Sequence, residues 1–249
     1  MARAGVWFPP VSPSTSPLAK LSPRVAADTL VRRTLPRALV AASQVTLPAR
    51  LAAAAKRRRG EPERLELFFA FDDPCSAVAT IDLSARLAGR PVEIVPLPVV
   101  ERGIAGDPAV QQKREYAVID ARRLARRAGM TLARETPLPA ADTAFLAEWV
   151  AAVKPSPALL AFTVAALRRL WFEGDGPVER EAFLGLWREH VGSEEARPDP
   201  AAVLATEKRM SRRGPYETPA AWVAGRWYFA HDRPGQICEW LDELGWTPR

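Results

Sequence analysis

The sequence predicts an α/β fold in which a block of helices interrupts a strand–helix frame. Three observations predict it. Between Leu65 and Pro98 an apolar run, an amphipathic segment and a second apolar run follow one another. From Phe145 to Val191 the apolar residues recur only at helical spacing. Near the end, two short apolar runs flank a glycine turn and precede one last amphipathic stripe.

Leu65–Phe71 (LELFFAF) has the length and composition of a buried central strand. Asp72, Asp73 and Pro74 follow, and an acidic residue before proline is a helix start, here of a helix from Cys75 to Leu87 that Gly89 ends. Pro91–Pro98 (PVEIVPLP) reads as a second strand, which completes a βαβ unit. Pro108 to Ala128 carries a basic helix stopped by Gly129. Phe145, Leu146, Trp149, Val150 and Val153 form one helical stripe; Leu159 to Trp171 is apolar almost all round; Phe183, Leu186, Trp187 and Val191 make another stripe. All three read as core packing. Ala201–Arg213 is a helix closed by Gly214. Ala220–Val223 and Trp227–Phe229 are strands around Ala224–Gly225–Arg226, a hairpin signal. Asp232 then caps a helix with Ile237, Trp240, Leu241 and Leu244 on one face.

The 249 residues are 48% apolar and 26% charged, enough for one sizeable core and incompatible with global disorder. Two distant cysteines, Cys75 and Cys238, exclude a CxxC redox centre and a structural zinc cluster, and two histidines leave no multi-histidine metal site. No apolar run is long enough for a membrane span. The net charge of +6 is unevenly spread. Residues 1–60 hold eleven Lys and Arg against the single acid Asp28, and seven prolines; the remainder holds 24 basic and 28 acidic residues and is mildly acidic. The basic segment reads as an arm with room for two short helices, near Val25–Arg33 and Pro48–Lys56, and its KRRRG run, Lys56–Gly60, suits an anionic partner or a solvated linker. Arginine and proline interrupt every apolar stretch in it, so no secretory signal is expected in it, and a cytoplasmic protein is expected. The domain expectation is an arm over 1–60, βαβ over 61–135, a helical insertion over 136–198 and ββα over 199–249. Removal of the arm should leave the body folded.

Four stretches carry a resemblance. FAFDDPCSAVA resembles the FDFxSPYSYLA signature of the DsbA-like thioredoxin-fold family that includes 2-hydroxychromene-2-carboxylate isomerases and kappa-class glutathione transferases. KREYAVIDARR, Lys113–Arg123, resembles that family's KxxYxxxDxxR helix; GPYETPAAWV, Gly214–Val223, its cis-proline loop; and AHDR, Ala230–Arg233, its G-[QSN]-D-R turn. The likeness runs from Leu65 to Leu244 and is strongest to a DDPYS-type bacterial branch. It implies a thioredoxin-like fold with an inserted all-helical domain.

The resemblance also implies a site. Asp73 stands where redox members have the attacking cysteine and glutathione-dependent members a serine, and Ser76 stands at the second redox position, so disulfide exchange by the family mechanism has no attacking sulfur. The helix dipole favours an ionised Asp73, unless burial or a neighbour raises its pKa; Asp72 and Asp73 read equally well as helix caps. Cys75 replaces the family's tyrosine and reads more readily as a packed thiol than as a nucleophile. Thr218 and Pro219 align with the cis-proline element that holds the cysteinyl part of glutathione, and His231, Asp232 and Arg233 with the turn that receives its γ-glutamyl end. Lys113, Tyr116 and Glu217 fall near the substrate mouth, Glu217 where the family often has glycine. The expected protein is a glutathione-dependent isomerase or transferase acting on a small conjugated or electrophilic organic acid without redox cycling, with a homodimer as one option. The alternative is a non-catalytic module that binds an extended peptide in the cis-proline groove; a degraded thiol oxidoreductase ranks third.

Overall fold

The computed structural model describes residues 46–104, 106–192 and 196–248. The expected helix at Val25–Arg33 and most of the basic arm lie outside them. The compact body begins at Thr46. Its first element, α1 (Leu47–Arg58), matches the second helix expected in the arm, but it belongs to the body. Ala53 is buried in the core, Lys56 Nζ lies 2.6 Å from the buried Glu63 carboxylate, and the Arg57 guanidinium lies over the Trp246 ring. The boundary expected at residue 60 is therefore corrected to 45/46: Arg50, Lys56 and Arg57 of this helix are partners of the fold and not a linker.

Four strands form one sheet in the order β2-β1-β3-β4. β1 (Glu63–Phe69) is central, parallel to β2 (Val92–Pro98) with Leu65 opposite Ile94, and antiparallel to β3 (Ala220–Val223) with Leu65 opposite Val223. Its near-complete burial explains why it reads as a continuous apolar run. β4 (Arg226–Phe229) pairs antiparallel with β3, one residue longer than expected, because the turn is only Ala224–Gly225. Both turn residues have positive φ, 47° and 85°, the geometry whose twist matches a two-residue hairpin.

The alternation of β1 sends its side chains to the two faces of the sheet. Leu65 and Leu67 pack with Leu83 and Leu87 of α2 (Pro74–Leu87) and with Ile237, Trp240 and Leu241 of α8 (Pro234–Glu243). Phe68 packs on the opposite face with Val95, Leu97 and Met210, the last from α7 (Pro200–Arg213). Glu66 shares that face, and its carboxylate is held by Arg209 and Arg213 of α7. The third core joins α2 and α3 (Val110–Arg127) to the inserted helices α4 (Ala140–Ala152), α5 (Pro157–Phe172) and α6 (Arg180–His190). Its centre is Trp149, Phe162 and Trp187 in edge-to-face contact. Trp171 of α5 donates its indole N–H to the Phe71 carbonyl at 2.9 Å, which fixes the chain just before Asp72. Among the described residues no helix is long and apolar enough to cross a membrane.

Candidate functional site

β1 and β2 are parallel, and the crevice beyond the carboxyl ends of parallel strands is where open α/β sheets place ligands. The segment after β1 supplies Asp72 and Asp73. Asp73 is the N-cap of α2: its Oδ1 accepts from the Cys75 amide at 3.1 Å and its Oδ2 from the Ser76 amide at 3.2 Å. Two hydroxyls also reach Oδ2, Ser76 Oγ at 2.6 Å and Thr218 Oγ1 at 3.2 Å. The side chain is thus a cap and also the junction between the helix start and the cis-proline loop. Asp73 is 7% exposed. Burial pushes its carboxyl above the ordinary range, against the pull of Arg102 and the Ser76 hydroxyl. The effect of the helix dipole expected from sequence is outweighed by this loss of solvent.

Cys75, next on the helix, is buried, with its thiol 3.8 Å from the Ala117 carbonyl. Burial, and then the carboxylates of Asp73, Asp120 and Asp232, push that thiol far up, so the thiolate a nucleophile needs is suppressed. Ser76 is fully buried; its hydroxyl donates to Asp73 and accepts from the Ala70 amide, which commits it to the cap and keeps it out of the cleft.

The segment after β2 supplies the opposite wall, and sequence reasoning missed it. Arg102 donates to both oxygens of the buried Asp72, at 2.8 and 3.0 Å. Asp72 is therefore an ion-pair partner and not a cap. The amides of Val100 and Glu101 donate to Glu207 of α7, and the Gly103 amide donates to the Tyr216 carbonyl at 2.8 Å. The wall is stitched to the start of α2, to α7 and to the cis-proline loop. The available signal was positional: Gly103 and Gly106 follow a strand at its carboxyl end.

The Thr218–Pro219 peptide is cis, and the Pro219 carbonyl accepts from the Ala230 amide at 2.9 Å. Glu217 is half-buried beside it; burial pushes its carboxyl up, while Arg102 and Lys113 oppose the shift. Asp232 is not the N-cap of α8. Arg233 holds that position without capping through its side chain, because the helix begins one residue later than expected, at Pro234. Asp232 is left exposed, its Oδ2 3.5 Å from His231 Nε2. Arg233 points away and donates to Gln236. On α3, Lys113 pairs with Asp107, and the Tyr116 hydroxyl accepts from Arg123 at 3.1 Å.

These walls enclose an open cleft of about 900 Å³. It brings together Asp73, Cys75, Lys113, Tyr116, Glu217, Thr218, His231 and Asp232 of the residues singled out from sequence, and adds Arg102, Gly103, Asp107 and Asp120. Ser76, Pro219 and Arg233 do not line it. With a buried carboxyl at the helix start and a suppressed thiol beside it, the cleft can bind and move protons but lacks an activated sulfur.

Among solved structures the chain is similar to a 2-hydroxychromene-2-carboxylate isomerase, with 16% identity over 73% of this chain and 96% of that one and a TM-score of 0.54. It is similar to a probable DsbA oxidoreductase from Streptomyces coelicolor, with 15% identity over 73% of this chain and 91% of that one and a TM-score of 0.53. No family model matches the chain, and no curated protein matches it. These likenesses show the fold: an α/β thioredoxin-like fold with a helical insertion, of the kind found in DsbA-like proteins.

Proposed function

We propose that the cleft binds glutathione or a similar small thiol along Thr218 and serves an isomerisation or transfer on a small organic molecule, without redox cycling. The observation that carries this reading is Asp73: a carboxyl, joined to Thr218 through Oδ2, occupies the helix start of a thioredoxin-like fold. The likeness in fold to an isomerase supports it further. The residues present suit the ligand. Thr218 would hold the peptide-like middle, the exposed Asp232 carboxylate would take the ammonium, and Lys113 and Arg114 on the α3 side would face the carboxylates. Bound glutathione supplies a nucleophilic thiol. Asp73, with its raised pKa, holds a proton more readily than an exposed aspartate and can exchange it with a group entering the cleft. Arg102 and Asp72 keep the wall opposite it in place.

Calorimetric titration of the 249-residue chain with reduced glutathione tests the proposal. Saturable binding is expected, weakened about tenfold by Asp232→Ala through loss of one charge-assisted contact. Absence of binding removes the thiol-dependent reading and favours the peptide-binding module.

A further inference from the structure

The cleft has an excess of acidic residues and an apolar mouth, and the proposed thiol binding leaves Glu217 and that mouth unused. Six acidic residues, Asp73, Glu101, Asp107, Asp120, Glu217 and Asp232, line it against three basic ones, Arg102, Lys113 and Arg114. Arg102 gives its hydrogen bonds to both oxygens of Asp72, and Lys113 is held by Asp107. The Glu217 carboxylate, half-buried, makes no hydrogen bond or ion pair among the described residues. It lies against the backbone of Gly103, where a Cβ would come within 3.2 Å of Oε1. Gly103 has φ +81° and no side chain, which leaves the glutamate that space. Around the mouth, Ile104, Val110 and Tyr116 are 67%, 50% and 56% exposed, three large apolar side chains lining the same cavity. A carboxylate without a cation of its own, beside uncovered apolar surface in a cleft of about 900 Å³, is complementary to a cation on an apolar body.

We infer that the organic ligand of this cleft is an apolar amine, its ammonium taken by Glu217 and its hydrocarbon covered by Ile104, Val110 and Tyr116. The inference rests on the reading of the cleft as a small-molecule site, and it replaces the organic acid expected from sequence. The raised carboxyl of Glu217 agrees with it: loss of solvent, Asp73 and Asp107 push it up, Arg102 and Lys113 hold it down, and a bound ammonium would relieve the imbalance.

The test compares phenethylamine with hydrocinnamate, which carry the same phenylethyl group on an ammonium and on a carboxylate. Each is titrated into the 249-residue chain at neutral pH, with and without reduced glutathione. The amine is expected to bind about tenfold or more tightly than the acid, and Glu217→Gln to abolish that preference. An acid that binds as tightly as the amine, an amine that does not bind, or a preference that survives Glu217→Gln overturns the inference. Glutathione binding in the same titrations reports on the proposed function separately. An amine that binds where glutathione does not would remove the thiol-dependent reading and leave the amine site standing.

Discussion

Asp73 accepts four hydrogen bonds on two oxygens, two from amides and two from hydroxyls. The hydroxyls of Ser76 and Thr218 can reverse and accept, so the network also tolerates a proton on the carboxyl. Burial makes the protonated form the better fit to the fold. Because the folded-state pKa lies above the unfolded one, the stabilisation it brings is complete below the unfolded value, about pH 4, and is lost as pH rises through the folded value. Asparagine caps helices as well as aspartate does and does not titrate. The urea midpoint of the wild type should therefore fall relative to that of Asp73→Asn as pH rises from about 4. Parallel profiles for the two proteins would mean that burial does not raise this carboxyl. The cap was legible in the sequence because Asp before Pro at the head of an apolar stripe has a local meaning. Its burial was not, because the Thr218 hydroxyl that closes over it is 145 residues away. Arg102 was missed for the same reason: its pairing with Asp72 spans 30 residues and leaves no periodic trace.

At the scale of elements, the strand–helix order was readable because buried strands and helical stripes differ in period, and the strands and helices expected between Leu65 and Leu244 fall within a few residues of those observed. Helix α1 was recognised as a helix but assigned to the arm. Its leucines, Leu47 and Leu51, are exposed and its buried contribution is mainly one alanine, so hydrophobic patterning gave it no core face. What binds it is paired chemistry: Lys56 on Glu63, Arg57 over Trp246 and Arg50 near Glu243. Loss of Lys56 leaves the Glu63 carboxylate buried with only the Arg64 amide donating to it. A chain starting at Glu61 should consequently be less stable than one starting at Thr46, by about 2–4 kcal/mol. That corresponds to a melting temperature lower by roughly 5–15 °C. Equal melting temperatures would return α1 to the arm.

Over the whole molecule, the inserted helices and the thioredoxin-like frame share a core. Phe69, Phe71, Val78 and Ala121 belong to the same apolar cluster as Trp149, Phe162 and Trp187, so the expected insertion is part of the body's packing. The body from Thr46 should unfold in a single calorimetric transition, with equal calorimetric and van't Hoff enthalpies; two transitions would make the insertion a separate folding unit. The same packing delivers Trp171 to Phe71 and so holds the start of α2 at the cleft. In the proposed binding mode the thiol sulfur of glutathione sits beside Asp73. Once ionised, its carboxylate opposes a second negative charge beside it, whereas the hydroxyl of Asp73→Ser donates to one. The direct measurement is the thiol pKa of bound glutathione, read from thiolate absorbance in wild type and in Asp73→Ser. A value about one unit lower is expected in Asp73→Ser, the equivalent of one charge-assisted hydrogen bond. An identical thiol pKa in the two proteins would contradict it and leave Asp73 a helix cap alone.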